Sequence, residues 1–276
     1  MPVAPKVVLV TGCSAGGIGF ALCEEYAEQG CKVYATARKL ESMDGFRHDV
    51  ERLRLDVTSD EDVRSVVKTI VDKEGRIDVL VNNAGVLCTG PIIDVSMEEI
   101  QRAYDANVFS VIRLCKAVIP HMAARKSGTI VNIGSIMAYL PTPWAGIYAS
   151  TKAALHSLSD ALYMECTPFN VSVVSVTTGA VRSNLATNRL ATFRGLPADS
   201  LYQRFLPNIL QRISMSQGSD TMPAEEYAQR VVAKTLLEKP PRSLLLGGKS
   251  WWYMVLAWLP RTFILRMMWR RFSRSV

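Results

Sequence analysis

Lys6-Val-Val-Leu-Val-Thr11-Gly12-Cys-Ser-Ala-Gly16-Gly17-Ile18-Gly19 decides the fold of this 276-residue chain. Its first half is an unbroken apolar run rich in β-branched residues, which predicts a strand buried on both faces. The glycines follow at once, and Phe20-Ala-Leu-Cys-Glu-Glu-Tyr-Ala-Glu-Gln29 then continues with helical periodicity. Strand, glycine turn and helix form the context in which a glycine-rich loop binds phosphate. The glycines let the backbone approach closely, and the helix N-terminus offers unpaired N–H groups to a pyrophosphate. Gly12, Ser14, Gly17, Ile18 and Gly19 are therefore candidate dinucleotide contacts.

Working outward, a second strand, Lys32-Val-Tyr-Ala-Thr36, runs into Ala37-Arg38-Lys39, and no acidic residue appears until Glu41. An acid at this strand end would select NAD through the adenosine ribose. Arg38 instead suits the 2′-phosphate of NADP, although two basic residues at a strand end can also simply be solvated. Leu53-Arg-Leu-Asp56-Val57 ends a third strand, where Asp56 either accepts from an adenine amine or turns the chain into the helix after Thr58-Ser59. Strand and helix patterns alternate onward. The prediction is an α/β chain with one doubly wound, Rossmann-type parallel sheet of about seven strands flanked by helices. Residues 1–248 form the catalytic body and 249–276 a basic, aromatic extension.

Tyr148-Ala-Ser-Thr-Lys152 sets two side chains one turn apart on one helix face. A free tyrosine, with a pKa of about 10, exchanges protons poorly at neutral pH. An adjacent ammonium favours the phenolate and pulls that pKa toward the working range. Ser135, thirteen residues earlier, offers a hydroxyl to hold a substrate oxygen against the same phenol. Such a set suits proton transfer to or from a carbonyl or alcohol oxygen. It contains neither nucleophile nor metal, so a cofactor must supply the rest. Taken alone, the spacing equally fits a half-buried tyrosine beside a solvated lysine; the nucleotide loop gives it weight.

Together these stretches resemble the short-chain dehydrogenase/reductase family, in its group with a single Rossmann domain, over roughly residues 6–248. The resemblance is carried by Thr11-Gly12 through Gly19, Asp56-Val57, Asn82-Asn83-Ala84-Gly85, Asn107, Ser135, Tyr148 to Lys152, and Thr178-Gly179 through Ser183. It implies NADP(H) as cofactor, with Asp56, Val57, Asn83, Ala84 and Gly85 on its adenosine side and Val181 and Ser183 near the nicotinamide carboxamide and phosphates. It further implies that Tyr148 is the proton donor and that Ser135 grips the substrate oxygen. Lys152 would lower the phenol pKa and hold the nicotinamide ribose, while the Asn107 backbone helps hold a proton-relaying water. Homodimers pairing through the helices that carry Asn107 and Tyr148 are implied too. Read without the family, Asn82 to Gly85 is a turn and Asn107 a mild helix defect.

Two departures from the family pattern stand out. Four residues, rather than three, separate Gly12 from Gly17-Ile18-Gly19, and Thr178-Gly179 stands where Pro-Gly is usual. Loss of that proline is expected to loosen a backbone restraint near the nicotinamide.

Composition narrows the function further. At 49% apolar the chain can bury one good-sized core. Six scattered cysteines, no Cys-x-x-Cys pair and three histidines argue against a disulfide framework or a metal site and fit a reducing, cytosol-facing compartment. The first residues, Met1-Pro-Val-Ala-Pro, lack a signal-peptide pattern, so the chain is not expected to be secreted. The net charge of +7 is lopsided: no acid follows Glu238, while eight basic residues do, leaving 24 basic against 25 acidic residues before them. Those eight cluster with apolar bulk, which argues against nucleic acid.

The tail also holds Trp251, Trp252, Trp258 and Trp269, four of the five tryptophans. Pro260 and Arg261 break it well short of the ~20 apolar residues of a spanning helix. It reads as an interfacial anchor on endoplasmic reticulum or lipid droplets, or else as a helix packed on the body or on a dimer partner. Residues 184–222 are expected to be the substrate lid. They are rich in leucine and phenylalanine, with Arg189, Arg194, Arg204 and Arg212 either facing water or pairing with a phosphate. Loop and tail together look like those of the family's NADPH-dependent 1-acyldihydroxyacetone-phosphate reductases, implying a lipid-like ketone. A steroid, retinoid or polyketide ketone, or a non-catalytic NADP-binding scaffold, are the alternatives.

Overall fold

Strands β1 (Val7–Thr11), β2 (Lys32–Ala37), β3 (Val50–Arg54), β4 (Val79–Asn82), β5 (Gly128–Ile133), β6 (Val171–Thr178) and β7 (Ser243–Leu246) form one sheet. All pairs are parallel, in the order β3-β2-β1-β4-β5-β6-β7. The structure, a computed structural model, describes residues 4–274 except 219 and 249; the tail's Lys249 thus lies outside the described residues.

Among the described residues the α-helices are α1 (Ile18–Glu28), α2 (Asp60–Glu74), α3 (Met97–Tyr104), α4 (Ser110–Arg125), α5 (Gly146–Cys166), α6 (Leu185–Thr192), α7 (Leu206–Ser214), α8 (Ala224–Thr235), α9 (Ser250–Ala257) and α10 (Arg261–Phe272). The two-residue period of the strands divides them between two cores. Val8 and Val10 face α1 and α8 through Leu22, Tyr26, Tyr227 and Val231. Val7 and Leu9 face α2, α4 and α5 through Val66, Ile70, Leu114 and Leu155. Apolar residues on both faces of β1 are why its sequence runs unbroken rather than alternating.

The chain steps from β1 to β2 and β3 on one side and then crosses from β3 to β4 on the other side of β1, so a crevice opens at the carboxyl ends of these strands. Local signals shape its rim. Ser59 caps α2 by accepting from the Asp62 amide at 3.1 Å, with three acids in the first turn. β3 ends at Arg54, earlier than the sequence reading, because Asp56 accepts from Thr58 N and Oγ1 at 3.0 and 2.7 Å and bends the chain away.

The tail does not stand apart. Ile264 and Met268 of α10 pack on Leu140, and Phe272 reaches the cluster of Trp144, Phe205 and Ile209. Trp144 Nε1 donates to the Phe272 carbonyl at 2.9 Å, and Asn208 Nδ2 to that of Arg274 at 2.7 Å. Trp144 holds φ +69°, a costly setting for a bulky side chain, inside a nest of Tyr202, Phe205 and Trp269 rings.

Candidate active site

A cleft of about 1490 Å³ runs from the glycine loop, past the ends of β4, β5 and β6, to the tail. It exceeds the ~300–1,000 Å³ of ordinary ligand sites and has room for two ligands end to end. Gly12, Ser14, Gly17, Ile18, Arg38, Asp56, Val57, Asn83, Ala84, Gly85, Ser135, Tyr148, Lys152, Val181 and Ser183 all line it. Gly19 sits just beneath: a Cβ there would lie 2.5 Å from both the Gly12 carbonyl oxygen and the Asn83 side-chain amide.

The dinucleotide end is built around bare backbone. Gly12 has φ +73°, and a Cβ on it would lie 2.8 Å from Ala84 Cα. Gly17 caps α1 with no side-chain hydrogen bond, so the first-turn N–H groups stay open to the cleft. The additional loop residue is accommodated by Gly16 at φ +74°, and Asn184, at the start of the lid, donates to the Ala15 carbonyl. Asn83 turns its amide onto Thr11 O and Gly12 O at 2.8 and 3.1 Å, locking β4 to the loop. Arg38 is exposed at the rim, and its charge helps hold the Asp56 carboxyl below its usual range. One Asp56 oxygen serves the turn to Thr58 while the residue also lines the cleft, so its two readings meet in one place. Open N–H groups, close-approach glycines and a basic rim without a β2-end acid fit a dinucleotide that carries a 2′-phosphate.

At the other end, Ser135 N donates to His156 Nε2 at 3.2 Å, and Ser135 Oγ accepts from Met137 N at 3.1 Å. His156 Nδ1 must then carry the proton and face the Tyr139 hydroxyl at 3.1 Å. Burial holds this imidazole down to about 4, so it stays neutral and keeps Nε2 as an acceptor. Nothing in the spacing of His156 signals its placement under Ser135. Lys152 Nζ donates to the Ile133 carbonyl at 2.8 Å and lies 5.9 Å from the Tyr148 ring centre. Burial pushes this lysine down to about 8.

The expectation that Lys152 depresses the phenol needs correction. Burial dominates and raises Tyr148 above its ordinary value, while the Ser135 hydroxyl and the Arg212 charge pull it back. Asn107 is held by its side chain. It sits in a π-helical segment, Asp105–Phe109, and its side chain is fully engaged. Oδ1 accepts from Val86 N at 2.7 Å, and Nδ2 donates to Val86 O and Thr151 Oγ1, both at 3.0 Å. Far from a helix defect, it ties Val86, just after the Asn83–Gly85 turn, to Thr151 of α5. Thr178 likewise restores the restraint expected to be missing: its hydroxyl meets Tyr227 OH at 2.6 Å, and its backbone pairs with β7.

Residues of the 184–222 segment, among them Leu185, Asn188, Arg212 and Ile213, line the cleft, and the tail joins them. Trp251, Trp252, Tyr253, Leu256, Phe263 and Met267 line the same cleft as Ser135 and Tyr148. Trp258 and Leu265 point outward instead.

Fold and site together define an oxidoreductase that works between alcohol and carbonyl. The short chain dehydrogenase family profile matches residues 6–192, and the chain belongs to this family. It is 39% identical over 256 residues to the NADPH-dependent 1-acyldihydroxyacetone phosphate reductase of Schizosaccharomyces pombe, covering 91% of this chain and 82% of that one. It is 37% identical to the short-chain dehydrogenase PC-15 of Penicillium crustosum, covering 93% and 94%. A short-chain dehydrogenase from Streptomyces avermitilis superposes with a TM-score of 0.80 at 30% identity, over 99% of this chain and 98% of that one. Serine dehydrogenase complexed with NADP+ gives 0.75 at 25%, over 88% and 94%.

Proposed function

We propose that this enzyme reduces a ketone on a lipid-like substrate with NADPH, converting 1-acyldihydroxyacetone phosphate to 1-acylglycerol 3-phosphate. The observation that carries this reading is the aromatic and aliphatic surface of Trp251, Trp252, Tyr253, Leu256, Phe263 and Met267, with Arg266 and Arg270 beside it, that α9 and α10 add to the cleft that Tyr148 lines. A small polar substrate has no use for such a surface, whereas an acyl chain buries against it. The S. pombe relative named above, and its Saccharomyces cerevisiae counterpart at 33% identity over 253 residues, add support.

NADPH, when bound, supplies the hydride. Gly12, Ser14, Gly17, Ile18 and Gly19 would cradle its pyrophosphate, and Arg38 its 2′-phosphate. Asp56, Val57, Asn83, Ala84 and Gly85 would line its adenosine, and Val181 and Ser183 its nicotinamide end. Tyr148 enters the reaction protonated, because burial keeps its phenol neutral at physiological pH. It donates that proton to the ketone oxygen, which Ser135 holds by its hydroxyl. His156 keeps Ser135 in place through the amide bond described above. Lys152 would hold the nicotinamide ribose, and Asn107, which holds Val86 and α5 in register, would help hold a proton-relaying water by its backbone. A non-catalytic scaffold has no need of this proton path.

The test is NADPH consumption with 1-acyldihydroxyacetone phosphate, a steroid ketone and a polyketide ketone in parallel. The reading expects the acylated ketone phosphate to be preferred by at least tenfold in kcat/KM. Preference for either of the other ketones would reassign the substrate.

No helix among the described residues is long and apolar enough to cross a membrane. Contact with the cytosolic face of endoplasmic reticulum or lipid droplets would therefore be peripheral. Trp258 and Leu265, 88% and 45% exposed and outside the cleft lining, are apolar groups of the basic tail placed to make it. Trp258→Ser with Leu265→Ser should weaken co-sedimentation with vesicles containing anionic lipid at least tenfold, since each removes an apolar group from the interface. Equal pelleting of both proteins would rule this contact out.

A further inference from the structure

We propose that Arg212 recognises a phosphate monoester on the substrate, next to the carbonyl that Tyr148 serves, and so sets the enzyme's preference for a ketone phosphate. The inference rests on the ketone reduction proposed above and deepens it by naming the group that reads the anion.

The four lid arginines have separate fates. Arg189 is buried but neutralised: it pairs with Glu99 and donates to Thr89 Oγ1 and O at 2.8 and 2.6 Å. Arg194 and Arg204 are exposed, the latter stacked 4.7 Å over the Phe205 ring. Arg212 alone is buried without a carboxylate within ion-pair distance among the described residues. Its Nε donates to Thr142 Oγ1 at 2.7 Å, and its Nη2 reaches only the Met137 thioether at 3.2 Å. Among the described residues its hydrogen bonds are those of Nε and Nη2 alone, the guanidinium lies 5.9 Å over the Phe272 ring, and the side chain lines the cleft.

A guanidinium stays charged in any protein environment, and burying it without a counter-ion is unfavourable. Such a cation is matched when an anion enters the cleft, and its planar fork suits two phosphate oxygens at once. Its position fits the reaction. Met137, the partner of Nη2, packs in one cluster with Tyr148, so an anion on Arg212 would stand on the far side of the Met137 side chain from that ring. In a ketone phosphate the phosphate ester sits on the carbon beside the carbonyl, which spans that gap. The acyl chain is then left to run along the tail. The Arg212 charge also draws the phenol pKa downward. A neutral ketone leaves the cation unmatched.

The experiment compares wild type with Arg212→Met and Arg212→Lys on 1-acyldihydroxyacetone phosphate and on the same ketone lacking phosphate. In parallel, calorimetry follows sn-glycerol 3-phosphate and glycerol binding to the NADP+-loaded proteins. We expect Arg212→Met to lower the preference for the phosphorylated ketone, taken as the ratio of the two kcat/KM values, by at least about 30-fold. Arg212→Lys, which keeps the charge but not the fork, should lose about tenfold and serves if Arg212→Met does not fold. Glycerol 3-phosphate should bind wild type at least tenfold more tightly than Arg212→Met, and glycerol should bind neither. An unchanged ratio, with both ketones slowed alike, overturns the assignment and leaves the ketone reading intact. If wild type reduces neither ketone yet holds glycerol 3-phosphate through Arg212, the anion site stands and the ketone reading falls. Glycerol 3-phosphate binding that ignores Arg212 refutes the anion site directly.

Discussion

Replacing Tyr148 with phenylalanine is expected to lower kcat for ketone reduction about 10³-fold, with NADPH affinity changed by less than about threefold. The substitution removes one hydroxyl from a ring that is 8% exposed and keeps its packing against Met137, Ala145 and Ala149. The magnitude is that of a positioned general acid, about 10²–10⁴-fold. No neighbouring group is well suited to replace it. Lys152 donates to the Ile133 carbonyl, and the nearest imidazole, His156, is already bonded at both nitrogens. Stopped-flow NADPH oxidation together with fluorescence titration of the cofactor separates the two effects. Retained turnover would remove Tyr148 as the acid, and a parallel loss of NADPH binding would make its role structural.

The second large effect lies at the opposite end of the cleft. Gly12→Ala should weaken NADPH binding at least about 100-fold and lower Tm by roughly 2–10 °C. Two costs combine here: a left-handed φ of +73° and a Cβ 2.8 Å from Ala84 Cα, a backbone atom that cannot swing aside. Gly30 separates them, because it has φ +79° but nothing within 4 Å of a Cβ. Gly30→Ala should show the conformational cost, about 1 kcal/mol, with normal cofactor binding. Differential scanning calorimetry and NADPH titration of both variants test this. Similar cofactor affinity in the two would mean that the Gly12–Ala84 contact does not shape the nucleotide site.

Much of this was legible in the sequence because local rules and global fold agree. The β1 run, the glycine turn and the α1 periodicity all specify one buried strand feeding one helix, and the structure places them so. Arg38 and the absence of an acid before Glu41 follow the same local logic. What escaped was long-range. The tail's aromatic and basic pattern suggests an interface, and nothing in it says that Ile264 and Met268 would find Leu140, some 120 residues earlier, and bring the tail to the cleft. Trp144, the one tryptophan outside the tail, anchors that docking, yet its left-handed backbone has no local sequence signal. Asn107 looks like a defect until the π-helical segment turns its amide toward Val86. The sign of the Tyr148 shift was missed because a four-residue spacing gives proximity to Lys152 but not the depth of burial, and burial outweighs the charges here. His156 and Arg212 belong to the same class, since their meaning comes from partners on other elements.

Transfer of deuterium from NADPH labelled at C4 to 1-acyldihydroxyacetone phosphate, read by mass spectrometry of the product, tests the central claim most directly. The account predicts one deuteron per product molecule, on the new carbinol carbon, in wild type and almost none in Tyr148→Phe over the same time. Wild-type protein that binds NADPH but leaves this ketone unlabelled, while labelling a neutral ketone, would contradict it.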